Sequence, residues 1–184
     1  LGQPKQLVSF GRQSLLQRTI QATEAVAFSV KAVVLGAKAG DIAKAMEPGN
    51  CQVVHNSHWR EGMGSSILAG LGHVLALYHE TAHVLFLLSD QPFVSGELVK
   101  RLVEKHRNGE KPVTASFYRG MAGVPAIFSK LFFDELMAIV GDTGAKKVIK
   151  RHPDQVQTVP FEQGEFDLDT PEDFEKLKKM DKDG

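Results

Sequence analysis

The sequence predicts an α/β fold in which helices cover both faces of a mostly parallel central sheet. Short apolar runs rich in β-branched residues alternate with longer segments of helical periodicity along the chain. The apolar runs are continuous, which is typical of strands that are buried on both faces. The 184 residues, 42% of them hydrophobic, suffice for one core of ordinary size but not for two. We therefore expect a single domain over residues 1–184.

Each predicted strand is a short apolar run that ends at a glycine or a polar residue. The most apolar of them covers residues 83–88 and gives way to a loop at Ser89. The predicted strands are residues 31–35, 51–55, 83–88, 112–118, 124–128 and 156–161.

The intervening segments repeat apolar residues with the spacing of a helix. In residues 14–27, Ser14 fits the N-cap position and Leu16 and Ile20 fall on one stripe. The last helix has Thr170 as its N-cap and Pro171 at its first position. The predicted helices are residues 14–27, a short segment from Asp41 to before Pro48, residues 65–78, 96–107, 130–140 and 145–150, and the segment that starts at Thr170.

The composition excludes several classes of function. Lys plus Arg and Asp plus Glu both number 22, so the formal charge is zero and nothing favours a nucleic-acid partner. The longest strongly apolar run, residues 84–88, is far too short to cross a bilayer, so we expect no membrane partner. The single cysteine, Cys51, cannot form an internal disulfide and predicts a reducing, cytoplasmic location.

The motif content argues against three other kinds of catalysis. No Walker A or G-x-G-x-x-G pattern occurs, so P-loop and dinucleotide-dehydrogenase chemistry have no support. Residues 79–83 match the zinc-protease pattern H-E-x-x-H, but that chemistry needs both histidines on one helix face. The preceding helix is expected to end near Tyr78 and His83 to begin a strand, so we expect no zinc site here.

Acidic residues stand after two extended segments. Asp90 comes directly after the most apolar strand, and a proline two residues later stiffens the exit. Asp167 and Asp169 are two residues apart and so share one side of an extended segment. Ligands of such sheets bind at the carboxyl ends of the strands, and Mg²⁺ prefers carboxylate oxygens. The pattern predicts a Mg²⁺ site; a turn aspartate at 90 and a helix-start aspartate at 169 are the simpler alternatives.

A second candidate site lies in residues 56–66, which lead from a strand into a helix. Gly62 and Gly64 let the backbone come close to a ligand, and Ser65 and Ser66 place hydroxyl groups at a helix N-terminus. This arrangement suits an anionic group, and an ordinary glycine turn with a serine cap explains it equally well. By its residue type alone, Lys5 is a solvated charge.

Taken together, these segments resemble the molybdenum cofactor cytidylyltransferase and guanylyltransferase group, especially its cytidylyltransferase branch. The matching pieces span essentially the whole chain in the same order: Gly2-Gln3-Pro4-Lys5-Gln6-Leu7, residues 56–66, Asp90-Gln91-Pro92, residues 123–128, residues 141–145 and residues 167–173. The resemblance implies a Rossmann-like, GT-A-like three-layer fold. It also implies an enzyme that uses a nucleoside triphosphate and Mg²⁺ to place a nucleotide on the phosphate of molybdopterin, releasing pyrophosphate.

The resemblance assigns roles to individual residues. Asp90 is the main Mg²⁺ ligand, Asp169 the second and Asp167 a supporting one, and Lys5 steadies the triphosphate. Lys5, Asp90 and Asp169 are thereby the implied catalytic residues. The implied nucleotide-binding residues are Lys5, Gly64, Ser65, Ser66 and Asp90, and the implied acceptor-binding residues are Gly123, Val124, Pro125, Asp142 and Lys146. Lys146 could equally belong to a solvated basic helix face.

The sequence departs from that group at its beginning. Members start with a strand and a glycine-rich loop of the type L-A-A-G-x-S-x-R-M-G, and this sequence starts after most of that loop. We expect the first strand and the loop to lie upstream of Leu1. The loop carries the residues that best separate CTP from GTP, so the base preference stays open, with CTP favoured.

Three alternatives to a cytidylyltransferase stay open. The chain could use GTP, or it could act on another phosphorylated acceptor such as a sugar phosphate. It could also be a non-catalytic carrier or insertion partner for the molybdenum cofactor. A molybdoenzyme client is a further possible partner of the proposed enzyme.

Overall fold

Strands and helices alternate along the described part of the chain, which is residues 4–166 and 171–182 of a computed structural model. The strands are β1 (Ser9–Phe10), β2 (Gln13–Ser14), β3 (Ala32–Leu35), β4 (Gln52–His55), β5 (His83–Phe86), β6 (Val113–Tyr118), β7 (Met121–Ser129) and β8 (Val156–Pro160). The α-helices are α1 (Leu15–Ala22), α2 (Ala39–Ala45), α3 (Met63–Leu77), α4 (Gly96–Asn108), α5 (Phe133–Met137), α6 (Lys146–Arg151) and α7 (Pro171–Lys182). The predicted α/β class is confirmed.

The described strands form one larger sheet, one smaller sheet and a short β1–β2 pair. The smaller sheet consists of β3 and β4, which are parallel. The larger sheet has the order β5-β7-β6-β8. Both β5 and β6 are antiparallel to β7, and β8 is parallel to β6. Three strands of the larger sheet therefore share one direction while β7 opposes them, so this sheet is mixed rather than purely parallel.

The turn before β7 explains its reversed direction. Arg119 and Gly120 connect β6 to β7, and their φ angles are 50° and 73°. Two consecutive residues with positive φ form the tight turns that join antiparallel strands. Tyr118 accordingly pairs with Met121 across the turn. The strands predicted at 112–118 and 124–128 are confirmed, whereas their antiparallel connection was not predicted.

Helices pack on both faces of the larger sheet and give the expected three layers. On one face, Phe128 of β7 packs in a cluster with Leu71 of α3 and Leu136 of α5. On the other face, Ile127 packs in a cluster with Leu102 of α4. Neighbouring residues of a strand point to opposite faces, so β7 supplies side chains to both clusters.

The smaller sheet has its own core, which lies next to α1 and α2. Leu35 at the end of β3 joins Leu16 and Ile20 of α1 and Ile42 of α2 in this core. The outer strand of the sheet is less deeply buried, because Val53 of β4 is 45% exposed. The smaller sheet is therefore covered mainly through β3.

A cavity of about 830 Å³ lies between the two sheets. Its walls include residues 32–34 of β3 and residues 83–88 of β5 and its exit. Leu16 of α1 and Leu71 of α3 also line it. Among the described residues β3 pairs only with β4 and β5 only with β7, so one strand from each sheet borders the cavity.

The predicted helices are present, with some differences at their ends. The predicted helix at 130–140 is divided into a 3₁₀ turn at Lys130–Phe132 and the short α5, and the chain then turns at Gly141, whose φ is 70°. The segment expected at 14–27 ends as an α-helix at Ala22. Thr170, the predicted N-cap of α7, lies outside the described residues. No helix in the two described ranges is long and apolar enough to span a membrane.

Candidate active site

Lys5 and Asp90 form an ion pair at the exit of β5, although 85 residues separate them in sequence. Lys5 Nζ lies 2.8 Å from Asp90 Oδ2. The two side chains are 35% and 22% exposed, so the pair is only partly open to solvent. The structure thus brings together two residues that the sequence assigned to one site.

The segment that carries Lys5 is anchored by a buried residue. Lys5 begins a 3₁₀ turn, Lys5–Leu7, and the backbone N–H of Val8 donates to the Lys5 carbonyl at 3.1 Å. Val8 is buried in a cluster with Leu15 and Leu177. The Leu15 N–H donates to the Val8 carbonyl at 2.9 Å. These contacts fix the backbone from which the lysine side chain reaches Asp90.

Gln91 joins the exit of β5 to the predicted acceptor side. Its side chain is 3% exposed, and Gln91 Nε2 donates to the Val124 carbonyl at 3.2 Å. The Tyr118 hydroxyl donates to the same carbonyl at 3.0 Å. The predicted acceptor residues Gly123, Val124 and Pro125 therefore lie in β7 beside the strand exit that carries Asp90, with the Val124 and Pro125 side chains buried.

Asn56 organises the predicted nucleotide loop. This residue follows β4 directly, and its Nδ2 donates to Ser65 Oγ at 2.9 Å and to Ser66 Oγ at 3.0 Å. Its Oδ1 accepts a hydrogen bond from the His58 backbone N–H at 2.9 Å. Both serines lie in the first turn of α3, so one buried amide holds the strand end and the helix start together.

The two glycines of this loop approach protein backbone rather than open space. Gly62 has a φ of 98°, and a Cβ there would overlap the backbone of Gly141 and Asp142. A Cβ at Gly64 would overlap the Ile139 carbonyl. The Gly64 N–H also donates to the Gly141 carbonyl at 3.0 Å. A Cβ on either glycine would therefore meet a second loop of the protein, and an approach of their backbone to a ligand stays a prediction.

This packing places the loop at 141–145 beside the nucleotide loop. Ser66, Val124, Asp142 and Lys146 all line the cavity between the sheets, and so does Gln91. Ser66 is thus the nucleotide-side candidate that borders this cavity together with acceptor-side candidates, whereas Lys5, Gly64, Ser65 and Asp90 are not among its lining residues. Lys146 is half-buried at the start of α6, whereas Lys147 in the same helix is exposed.

Of the three acidic residues that the sequence suggests as metal ligands, only Asp90 lies in the described part of the chain. Asp167 and Asp169 lie outside the described residues, so the predicted convergence of Asp90 with Asp169 stays a prediction. Asp90 Oδ1 is buried and lacks a hydrogen-bond partner within residues 4–166 and 171–182. Within the same ranges, no three His, Cys, Asp or Glu residues are grouped to hold a metal ion.

The H-E-x-x-H segment is divided between a turn and a strand. α3 ends at Leu77 and His83 opens β5, as the sequence predicted. His83 Nδ1 lies 2.9 Å from His106 Nε2, and His106 Nδ1 lies 2.8 Å from Thr114 Oγ1. Burial, together with the neighbouring His83, lowers the pKa of His106 from 6.5 to about 4.

Two residues of this region were not predicted as functional candidates. Asn56 and Gln91 are both 3% exposed and both hold loops of the site in place. In the sequence, Asn56 is marked only as a carboxamide directly after a strand, and Gln91 only as a carboxamide next to Asp90. That signal also fits ordinary turn residues, which is why it does not single them out.

Comparison with known proteins gives the family of this chain. Residues 1–156 match the family model described as the MobA-like NTP transferase domain. The chain belongs to the MobA-like NTP transferase domain family. Its domain is thus of the nucleotidyltransferase kind, and the resemblance found in the sequence is confirmed at the level of the family, while the cytidylyltransferase branch stays a prediction.

Individual relatives cover nearly all of the chain. Nicotine blue oxidoreductase from Paenarthrobacter nicotinovorans is 28% identical over 185 residues, which cover 96% of this chain and 86% of that protein. The crystal structure of Rv0371c in complex with manganese, from Mycobacterium tuberculosis H37Rv, is 25% identical with a TM-score of 0.79, covering 97% of this chain and 93% of that one. Molybdopterin-guanine dinucleotide biosynthesis protein A from Archaeoglobus fulgidus shares the fold, with 16% identity, a TM-score of 0.68 and coverage of 100% and 93%.

Proposed function

We propose that this protein is an enzyme that transfers CMP from CTP to the phosphate of a molybdopterin-type acceptor and releases pyrophosphate. The observation that carries the proposal is the 2.8 Å contact between Lys5 and Asp90 at a strand exit, in a chain of the NTP transferase family. A triphosphate reaction needs positive charge beside the phosphates and a carboxylate for a divalent cation. Lys5 and Asp90 supply one of each at a single point.

The reaction requires positioning more than covalent chemistry. An oxygen of the acceptor phosphate forms a bond to the α-phosphorus while the bond from that phosphorus to the pyrophosphate oxygen breaks. The chain contributes charge and orientation, and no nucleophilic side chain is needed. Lys5 offsets charge on the triphosphate, Ser65 and Ser66 line the nucleotide side, and Lys146 pairs with the phosphate of the acceptor.

Mg²⁺ is the proposed cofactor, and the chemistry of Asp90 fits it. Asp90 Oδ1 is a buried carboxylate oxygen without a hydrogen-bond partner in the described residues, a state that is costly unless a cation compensates it. Asp167 and Asp169 are the other proposed ligands. A bound Mg²⁺ supplies charge that stabilises the phosphate oxygens as pyrophosphate leaves. The manganese in the Rv0371c structure supports a divalent cation in this family.

The acceptor side of the proposed site consists of Gly123, Val124, Pro125, Asp142 and Lys146. The related molybdopterin-guanine protein supports a molybdopterin-type acceptor, and GTP is the alternative donor. A molybdoenzyme that receives the product is a proposed client, and the cytoplasmic location predicted from Cys51 belongs to the same proposal.

Pyrophosphate release tests the proposal directly. The protein is incubated with Mg²⁺, one nucleoside triphosphate at a time, and either molybdopterin or a sugar phosphate. We expect release with CTP and molybdopterin and none with the sugar phosphate. Release with GTP instead of CTP would make the protein a guanylyltransferase. No release with any pair would contradict the transferase and favour a non-catalytic cofactor-binding protein.

A second candidate function comes from the relative with 28% identity. That protein is named nicotine blue oxidoreductase, so an oxidoreductase is the alternative for this chain. The absence of a G-x-G-x-x-G pattern ranks it second. Oxidation of NADH or NADPH with a dye acceptor, at a rate above that of buffer and without pyrophosphate release, would favour it.

A further inference from the structure

The hydrogen bonds of Asn56 fix the direction of its side chain. The residue is 3% exposed, and its Oδ1 lies 2.9 Å from the backbone nitrogen of His58. A backbone N–H can only donate, so the atom that faces it must be the carbonyl oxygen. The amide nitrogen therefore faces the two serines, and each of its two hydrogens has its own acceptor, at 2.9 Å and 3.0 Å.

With the Asn56 amide in this orientation, the two serine hydroxyls differ in where their hydrogens can be donated. Ser65 Oγ accepts from Asn56 and donates its hydrogen to the Gly62 carbonyl at 2.8 Å. Ser66 Oγ also accepts from Asn56, but its hydrogen has no acceptor within residues 4–166 and 171–182. Ser66 lines the cavity between the sheets, whereas Ser65 does not.

We propose that Asn56 is a positioning residue that sets Ser66 as a hydrogen-bond donor to the nucleotide. The inference rests on the proposed nucleotide site and adds a rule for its ligand: the group that meets the Ser66 hydrogen must be an acceptor. A phosphate oxygen and a base or ribose oxygen share this chemistry. An amino group at the same place is disfavoured, because it would leave the Ser66 hydrogen without an acceptor.

The test uses a double-mutant cycle of nucleotide binding, measured by titration calorimetry with CTP, GTP and inorganic tripolyphosphate. Ser66→Ala removes the donor and should weaken CTP binding about three- to tenfold, the effect of one net hydrogen bond. Asn56→Asp keeps the acceptor for His58 but accepts the Ser66 hydrogen itself, so it should weaken CTP binding by a similar factor. The double variant should bind like Ser66→Ala alone, because both changes remove the same contact.

The matched control is Asn50→Asp, which adds the same charge. Asn50 is exposed and lies in the turn before β4, the strand that Asn56 follows. We expect it to bind CTP like the wild type. Effects that add in the double variant would overturn the proposal, since they would show that Asn56→Asp acts by repelling the ligand or by loosening the loop. Weakened binding of tripolyphosphate by Ser66→Ala would assign the contact to a phosphate; a loss confined to CTP or GTP would assign it to the base or ribose.

Circular dichroism shows whether Asn56→Asp folds. If it does not, Ser66→Ala and Ser65→Ala decide the question on folded protein, since Ser65 already donates to Gly62. Ser66→Ala must then weaken CTP binding more than Ser65→Ala does, and the reverse order would overturn the proposal. Binding is measured without turnover, so absent pyrophosphate release would contradict the proposed transferase while leaving this result interpretable.

Discussion

The two sheets of this protein differ in how deeply their strands are buried. In the larger sheet, Val113 of β6 is 1% exposed, and β7 is buried at every residue from 123 to 129. In the smaller sheet, Val53 of β4 is 45% exposed, and only Leu35 of β3 is fully buried. Apolar burial stabilises a fold roughly in proportion to the area removed from water. The larger sheet therefore carries most of the stability that comes from strand packing.

The candidate site uses both sheets. Asp90 and Val124 come from the larger sheet, whereas Asn56, Ser65 and Ser66 follow the outer strand of the smaller one. The side that is proposed to hold the metal and the acceptor therefore rests on the more deeply buried sheet. The nucleotide side depends instead on a local network of hydrogen bonds.

The largest expected effect is on catalysis, through the charge held by the larger sheet. Asp90→Asn preserves shape but removes the charge that pairs with Lys5 and that is proposed to hold Mg²⁺. We expect kcat to fall by at least about 100-fold. The melting temperature should change by only a few degrees, because the side chain is partly exposed. Asp154→Asn, an exposed change in the turn before β8, is the control. Wild-type turnover by Asp90→Asn would contradict the mechanism.

The next largest effect is on stability, and the same substitution in each sheet compares how much strand burial contributes to the free energy of unfolding. Val113→Ala removes two methyl groups from a filled core and should lower the free energy of unfolding by about 2 to 3 kcal/mol. Val53→Ala removes the same atoms from a half-exposed position and should cost less than about 0.5 kcal/mol. Urea unfolding of both variants beside the wild type gives the values. Equal losses would show that the smaller sheet is as important for stability as the larger one.

The smallest effect concerns acid stability, through a residue of α4, the helix that packs on one face of the larger sheet. The pKa of His106 falls from 6.5 to about 4 on folding, because the ring is partly buried beside His83. The neutral ring is therefore favoured in the folded protein. This stabilisation is complete above pH 6.5 and is lost as the pH falls toward 4, since the unfolded chain takes up the proton first.

His106→Gln should remove that part of the pH dependence. We expect the unfolding free energy of the variant to change less between pH 6.5 and pH 4 than that of the wild type. Urea unfolding at several pH values measures it, with the exposed change His79→Gln as the control. An unchanged slope in His106→Gln would show that another group controls acid stability.

Much of the fold could be predicted because strands and helices have local signals. The apolar run at 83–88 and the helical spacing in 96–107 gave β5 and α4 with small errors at their ends. The reversal of β7 could not be predicted in this way. It depends on positive φ at Arg119, and arginine gives no local signal for that conformation.

The site could be predicted only in part, because its contacts join distant segments. The resemblance placed Lys5 and Asp90 in one site, but their direct contact was not predicted, because 85 residues separate them in sequence. The close packing of Gly62 on Gly141 and Asp142 had no sequence signal. A glycine that packs against another backbone segment cannot be told from one that packs against a ligand by sequence alone. Asn56 was missed for a similar reason, because its burial is a tertiary property.

The glycines of the nucleotide loop have a mechanical consequence. With no side chain between them, the backbones at 62–64 and 139–142 touch directly, and a hydrogen bond from Gly64 to Gly141 joins them. We expect the two loops to shift as a single body when either is displaced. Binding of one substrate at either loop would then change the affinity for the other, because Gly62 and Gly64 let the two loops touch.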